Sequence, residues 1–158
     1  MTKGVYALII ENSRAHPIQI GKLGTFLFPQ GLYVYIGSAL GSSATSLEHR
    51  LQRHLSKVKT IHWHIDFLLC SEFVEIIKIY YASSSEKKEC HLVSTVVSKS
   101  EGQILIPRFG ASDCIKNCGS HLILFQIEQD QLTALIQSAF LEINLKPLIF
   151  SLNTFHCE

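Results

Sequence analysis

Arg50 and His54 stand four residues apart in the stretch LEHRLQRHLSKVK, residues 47–59. The spacing of the apolar residues there predicts a helix with a buried stripe made of Leu47, Leu51, Leu55 and Val58. On this helix Arg50 and His54 lie one turn apart on the flank of the stripe, with Lys57 on the same side. Because arginine offers a permanently charged fork of donors, this flank could hold a phosphate. The alternative is a solvated basic helix face.

The formal net charge of the 158-residue chain is only +1, so the molecule as a whole is not a basic nucleic-acid binder. Any binding of nucleic acid must use a local patch. The predicted helix is the most positive stretch of the chain, since it sets four basic residues against Glu48: Arg50, Arg53, Lys57 and Lys59.

A glutamate interrupts the apolar face of a second predicted helix, residues 86–99. Ser83 and Glu86 have the S-x-x-E spacing of a capping box at its start. Its apolar stripe consists of Leu92, Val93, Val96 and Val97. Glu89 falls inside this stripe, and burying an unpaired carboxylate is costly. Either the helix N-terminus stabilises Glu89 or the carboxylate binds a divalent cation, and its position leaves both alternatives open.

Three tyrosines lie in two predicted strands, residues 4–11 and 32–38. Tyr33 and Tyr35 share one strand face, and Tyr6 lies in the first strand. Taken as isolated residues, all three are expected to be core residues whose hydroxyls reach a partner.

Histidines and cysteines offer a rival site. In HWHID, residues 62–66, an extended backbone would put His62, His64 and Asp66 on one face, where they could bind a transition metal. We favour a helix, in which these side chains diverge and Trp63 packs on Phe67. His64 and Asp66 would then form hydrogen bonds near a cleft.

A second cluster follows in CIKNCGSH, with Cys114, Cys118 and His121. Its C-x3-C-x2-H spacing is not a standard zinc signature, and only three ligands are local, although Cys90 or His91 could be a fourth. We therefore do not expect zinc to be the cofactor. The alternative is a long loop braced by hydrogen bonds from Asp113, Ser120 and His121.

The elements that must position these residues form one α+β domain over residues 1–158, with an antiparallel sheet flanked by helices. Further elements are a hairpin within residues 17–29, a strand over 72–82, a strand over 121–128, a helix over 131–143 and an edge strand in the tail. The five cysteines are an odd number, and neither a signal peptide nor a long apolar run is present. We expect a cytoplasmic protein with free thiols and no membrane contact.

Taken in order, GVY (4–6), YIG (35–37) and L-x-x-R-x-x-x-H (47–54) resemble the motifs of the GIY-YIG nuclease superfamily. HWHIDFLL, EC at 89–90 and SDC…C-x-SHL from 112 to 122 resemble more specifically an archaeal and bacterial branch, sometimes fused to an endonuclease III-type glycosylase. The resemblance covers about residues 4–127 and leaves 128–158 as a C-terminal extension. The hairpin is then an insertion between the first two motifs.

The resemblance implies an endonuclease that hydrolyses DNA phosphodiester bonds with one Mg²⁺ or Mn²⁺ ion. Tyr6 or Tyr35 would orient or deprotonate the attacking water. Arg50 would neutralise charge on the phosphate, and His54 would assist the base or hold the substrate. Glu89 would hold the metal. Other glutamates compete for that role, namely Glu72, Glu75, Glu86 and Glu101.

The resemblance also implies which residues contact substrate. Gly37 has no side chain, so a phosphate backbone could approach it closely. Ser38, Arg53 and Lys57 would add contacts. The partner would be DNA, branched or damaged, and a DNA-repair protein is a further candidate partner. Two alternatives stay open: a nucleic-acid-binding module of the same fold that does not cut, and a zinc-stabilised interaction domain.

Overall fold

A computed structural model describes residues 2–42, 45–111 and 119–152 of the chain. The strands are β1 Gly4–Asn12, β2 His16–Ile20, β3 Gly24–Phe28, β4 Gly31–Ala39, β5 Val74–Ser83, β6 Leu122–Phe125 and β7 Leu148–Ile149. The helices are α1 Leu47–Leu55, α2 His64–Leu69, α3 Glu89–Ser98 and α4 Gln129–Glu142, and a short 3-10 turn, Gly21–Leu23, joins β2 to β3.

Five strands form one sheet in the order β6-β4-β1-β5-β7, and every neighbouring pair is antiparallel. β1 lies at the centre because its apolar run can be buried on both faces. β2 and β3 pair only with each other, as the predicted hairpin. With helices on both sides of the sheet, the predicted α+β fold is confirmed.

The sheet separates two hydrophobic layers, because successive residues of β1 point to opposite faces. Tyr6, Leu8 and Ile10 belong to the first layer, together with side chains of α1, α2 and the hairpin. Val5, Ala7 and Ile9 belong to the second layer, with α3 and α4. Tyr33 and Tyr35 of β4 share the first layer with Tyr6, and this layer is where the predicted reactive side chains can meet.

α1 is shorter than predicted. It ends at Leu55, Ser56 leaves the helix with a ψ of 128°, and Val58 is 91% exposed. The prediction of a helix to residue 59 was therefore wrong. The two lysines that continued the pattern bend back to main-chain carbonyls instead: Lys57 Nζ lies 2.6 Å from Val74 O and Lys59 Nζ lies 2.9 Å from His54 O.

α3 begins later than predicted. Ser83 is still in β5, paired opposite Gly4, so it cannot cap a helix. Glu86 N donates to Ser84 Oγ in a short turn, and α3 starts at Glu89 without a side-chain cap. The predicted capping box was wrong, although the inward position of Glu89 is confirmed by its 8% exposure.

The end of the described chain returns to the sheet. β6 is shorter than the predicted strand over 121–128, whereas α4 matches its prediction within two residues. β7 pairs with β5 as the expected edge strand. No helix in the described ranges combines the length and the apolar character that a bilayer-spanning segment requires.

Candidate active site

Tyr6 and His54 form a buried pair between β1 and α1. The Tyr6 hydroxyl lies 2.8 Å from His54 Nε2, and the ring centroids are 5.4 Å apart. Each residue is 2% exposed. Leu47 and Leu51 hold α1 against the first layer, and this packing turns His54 inward. The sequence placed His54 on the flank of the apolar stripe, but the structure places it within the buried face.

Burial keeps both members of this pair neutral near pH 7. Burial, followed by repulsion from Lys59, lowers the pKa of His54 to about 3. Burial also raises the pKa of Tyr6 well above its usual value, Tyr35 adds to this rise, and Arg50 opposes it. Among the described residues, His54 Nδ1 has no hydrogen-bond partner. A neutral imidazole Nε2 can accept a hydrogen bond from the phenol or donate one to the phenol oxygen, so either tautomer of His54 can bind Tyr6.

Gly37 makes room for the Tyr6 ring. The two residues face each other across the β1–β4 pairing. A Cβ atom built on Gly37 would lie 2.6 Å from Tyr6 Cζ, much closer than real side chains approach. The absent side chain of Gly37 therefore has a packing role here. A phosphate contact at Gly37 stays a prediction.

Tyr35 completes an aromatic cluster around the pair. Its ring centroid lies 6.5 Å from Tyr6 and 6.1 Å from His54, and Phe109 packs edge-on at 6.2 Å. Gly110, with a φ of 67°, lets the segment of residues 109–111 lie close to Tyr35: a Cβ built on Gly110 would be 2.9 Å from Tyr35 Cε2. Tyr35 is 7% exposed, so this loop covers it.

Arg50 joins the pair to the end of β4. Its Nη1 donates a hydrogen bond to the carbonyl oxygen of Ser38. Its guanidinium carbon lies 4.9 Å from the centroid of the Trp63 ring. The GVY strand, the YIG strand and the helix with the R-x-x-x-H motif thus meet through Tyr6, Arg50 and His54, as their resemblance implies.

Arg53 and Asp66 fix the loop between α1 and α2. Arg53 donates to both Asp66 oxygens, at 2.8 and 2.7 Å, and the backbone N–H groups of His62 and Trp63 donate to Oδ2 at 2.9 Å. Burial alone would raise the pKa of Asp66, but the hydrogen bond from Arg53 and those from the backbone outweigh it and lower this pKa. Arg53 therefore already has a carboxylate partner, and its predicted substrate contact stays a prediction.

Lys57 points at the main chain rather than outward. Its Nζ donates to the carbonyl oxygens of Leu69 at 2.8 Å, Val74 at 2.6 Å and Ser71 at 3.3 Å. Burial lowers its pKa. The structure does not bring Lys57 to the Tyr6–His54 pair, and it gives the side chain a role in closing the chain after α1.

His64 and His121 brace the loop that covers Tyr35. His64 lies in α2, as favoured for HWHID, and its Nδ1 accepts a hydrogen bond from Gly110 N at 3.0 Å. His121 N donates to Phe109 O at 2.8 Å, and its Nε2 lies 3.7 Å from Cys90 Sγ. Of the side chains expected to brace the loop, Ser120 does so within the described residues, since its Oγ donates to Phe109 O at 3.5 Å and to Leu122 O at 3.2 Å. Three predicted residues of the loop lie outside the described residues: Asp113, Cys114 and Cys118.

Glu89 lies at the start of α3. Its Oε1 is 3.8 Å from Lys87 Nζ, whereas Oε2 is buried and has no hydrogen-bond partner among the described residues. None of the direct contacts in the described ranges joins Glu89 to Tyr6, Arg50 or His54. A shared site of Glu89 and the tyrosine–histidine pair therefore stays a prediction.

Comparison of the sequence with protein families identifies the family of the chain. Residues 5–145 match the family described as "Domain of unknown function DUF123". The chain belongs to the DUF123 family. The comparison with curated proteins and the comparison with solved structures each gave no match.

In this DUF123 protein, Glu89 is a suitable ligand for a hard divalent cation. Magnesium commonly takes only one or two carboxylates and completes its shell with water and substrate oxygens. The buried Oε2 of Glu89, which has no hydrogen-bond partner among the described residues, can serve as one such carboxylate ligand. By contrast, the described ranges contain no group of three or more histidine, cysteine, aspartate or glutamate side chains placed to hold a metal.

Trp63 is the residue that sequence reasoning missed. The sequence assigned it to packing against Phe67. In the DUF123 structure it is 38% exposed and lies beside Arg50, Arg53 and His54. A single tryptophan next to the most basic segment was the available signal, but a spacing pattern does not show that the loop folds back onto α1.

Proposed function

We propose that this DUF123 domain is a GIY-YIG-type endonuclease of the branch associated with endonuclease III-type glycosylases, hydrolysing DNA phosphodiester bonds with one Mg²⁺ or Mn²⁺. The observation that carries the proposal is the hydrogen bond between Tyr6 and His54 beside Arg50. It supports the proposal because this bond joins two motifs that are far apart in the sequence, and Arg50 links the second of them to Ser38 at the end of the YIG strand. Repair or processing of branched or damaged DNA in the cytoplasm belongs to the same proposal, as does a DNA-repair protein partner.

Tyr6 and His54 would handle the proton of the attacking water. The Tyr6 oxygen takes a proton from water as its own proton passes to His54 Nε2. The low pKa of His54 opposes this transfer in the free protein. A bound phosphate would bring negative charge close to the imidazole and raise that pKa, so substrate binding would reduce this opposition.

Arg50 would stabilise the charge that develops on the phosphate. The hydrogen bond to Ser38 O uses one of its five N–H donors, and this leaves donors for phosphate oxygens. The guanidinium keeps its charge at every pH of interest. Ser38 contributes its main-chain carbonyl, which orients Arg50.

Glu89 would hold the divalent cation through its buried, unpartnered oxygen. When bound, such an ion supplies Lewis-acid stabilisation of the leaving oxygen. The chain's contribution is a carboxylate kept out of bulk water at the first turn of α3.

A second candidate function is a DNA-binding module that does not cut. It is favoured by one observation: Tyr6 and His54 are each only 2% exposed, so water and phosphate cannot reach them in this conformation. The zinc-stabilised interaction domain stays a prediction, since Cys114 and Cys118 lie outside the described residues.

The test is cleavage of supercoiled plasmid and of branched, flapped and single-stranded DNA, with Mg²⁺ or Mn²⁺ present or chelated. Tyr6→Phe, Arg50→Ala, His54→Ala and Glu89→Gln should each abolish metal-dependent cutting. Tyr33→Phe is the matched control, because Tyr33 shares the same sheet face but its hydroxyl donates to Pro29 O. This control should cut normally.

If all four variants still cut DNA, the proposed site is wrong. Absence of cutting by the wild-type protein, together with salt-sensitive DNA binding that Arg50→Ala weakens, would establish the binding module instead.

A further inference from the structure

We propose that Trp63 is a stacking platform for one unpaired nucleobase, so that this domain prefers single-stranded or locally unpaired DNA. This inference rests on the proposed function, because it names the substrate class of the same site. It starts from the exposure of the residue: Trp63 keeps 38% of its surface accessible although Arg50 and Arg53 lie over its ring and His54 lies beside it. Base stacking on an exposed aromatic side chain is a main way of binding single strands.

Trp63 lies next to the groups proposed to act on the phosphate. Its ring centroid is 6.0 Å from His54, whose Nε2 bonds to Tyr6. Arg50 lies 4.9 Å from the ring centroid, so the side chain proposed to bind the phosphate also touches the proposed base platform. A nucleotide held by its phosphate at Arg50 would therefore bring its base to the Trp63 ring.

The Trp63 ring is held in place before any substrate arrives. Its backbone N–H donates to Asp66 Oδ2 at 2.9 Å, and Asp66 is fully buried. Arg53 binds the same carboxylate and places its guanidinium 4.4 Å from the ring centroid. Binding to a preorganised surface avoids the entropic cost of ordering it.

The charge around Trp63 complements a phosphodiester backbone. The guanidinium groups of Arg50 and Arg53 lie over the Trp63 ring, Lys57 and Lys59 belong to the same loop as Trp63, and Asp66 is the carboxylate that directly pairs with Arg53. Most of their other hydrogen bonds go to main-chain carbonyls, which satisfy donors without cancelling charge. The same loop exposes Ile61 at 38% and Val58 at 91%. Two arginines beside a partly exposed tryptophan suit an unpaired base with its backbone, whereas a paired base hides its faces within the duplex stack.

The first measurement uses the intrinsic fluorescence of Trp63, the single tryptophan of the chain. With metal chelated, so that no cutting occurs, a single-stranded oligonucleotide of about 12 nucleotides should quench this fluorescence on binding. The same sequence as a blunt duplex should quench it far less.

The second measurement is the affinity of variants for fluorescently labelled DNA by anisotropy. Trp63→Leu, which keeps apolar volume but has no aromatic face, should weaken single-strand binding roughly ten-fold and leave duplex binding nearly unchanged. Trp63→Phe should restore most of the affinity. Phe73→Ala is the matched control, since Phe73 also lies under an arginine, with Arg14 Cζ 5.3 Å from its ring centroid. Phe73 directly precedes β5, whereas Tyr6 of the proposed site pairs with Tyr81 near the other end of that strand. Circular dichroism and thermal unfolding check that each variant folds.

Each outcome bears on a different claim. Binding without quenching, with equal single-strand affinity in wild type and Trp63→Leu, overturns the stacking platform and leaves the nuclease proposal untouched if metal-dependent cutting persists. A parallel loss of single-strand and duplex affinity in Trp63→Leu also overturns it, because a purely structural role predicts that pattern. No binding of any DNA overturns both proposals.

Discussion

The hydroxyl of Tyr6 lies 2.8 Å from Nε2 of His54, and 48 residues of sequence separate the two. This hydrogen bond connects the central strand of the sheet with the end of α1. It buries one phenol and one imidazole together, with the second imidazole nitrogen left unpartnered among the described residues. Leaving a buried polar group without a hydrogen-bond partner lowers the free energy of unfolding, so substitutions of Tyr6 or His54 should lower stability more than substitutions of their neighbours.

Removing the Tyr6 hydroxyl should destabilise the protein. In Tyr6→Phe, Nε2 of His54 loses its partner and stays buried, which costs about 1–3 kcal/mol. Urea unfolding followed by circular dichroism measures this loss. Tyr33→Phe, whose lost bond to Pro29 O is only partly buried, should cost less. An unchanged or higher unfolding free energy for Tyr6→Phe would contradict the hydrogen bond.

Placing a methyl group on Gly37 should also destabilise the fold, by about 1–3 kcal/mol, because it would overlap the Tyr6 ring. The position lies within a paired strand, so the backbone cannot easily move away. A double-mutant cycle with Tyr6→Leu tests the cause. The penalty for Gly37→Ala should largely disappear once the ring is gone, and additive effects would refute the contact.

The pH dependence of stability should carry a signature of His54. The pKa of His54 is about 3 when folded and about 6.5 when unfolded, so the unfolded chain binds the extra proton first as pH falls. Its contribution is fully present above pH 6.5 and declines between 6.5 and 3. The slope contributed is up to about 1.4 kcal/mol per pH unit. Urea unfolding at pH 7 and pH 5 should show a smaller difference for His54→Gln than for wild type; equal differences would contradict a neutral buried His54.

The Arg53–Asp66 ion pair should matter far more than a surface pair of the same length. Asp66→Ala strips a partner from Arg53 and from two backbone N–H groups, which should cost about 3 kcal/mol. Lys99 and Glu142 also approach to 2.7 Å, but both side chains are substantially exposed. Glu142→Ala should therefore cost less than about 1 kcal/mol. Thermal or urea unfolding compares the two, and equal losses would contradict this ranking.

Local patterns were sufficient for much of the fold. The apolar runs predicted β1 and β4, the glycine- and proline-rich segment predicted the hairpin, and the leucine spacing predicted α1. Glu89 was predicted to be inward from its helix position alone, and it is buried. These features depend on neighbours within one or two turns, which sequence periodicity records.

The features that could not be predicted depend on contacts between distant segments. α1 ends at Leu55, and Lys57 then donates to carbonyls supplied by residues 69–74, acceptors that no local pattern shows. Trp63 reaches Arg50 only because Asp66 binds Arg53 and closes the loop. Likewise, the sequence could not show that the space beside Gly37 is filled by Tyr6.

The packing of Tyr6 over Gly37 has a consequence for how the two strands find each other. Slipping β1 by one position against β4 would set Tyr6 opposite Ile36 or Ser38 instead of Gly37 and would turn every side chain of β1 to the other face. Only the native alignment lets the ring settle on a residue without a side chain and lets the hydroxyl reach His54. Gly37 thus helps to select the native register of β1 against β4, because a chain in a shifted register would lose both the Tyr6–His54 hydrogen bond and the packing of its core.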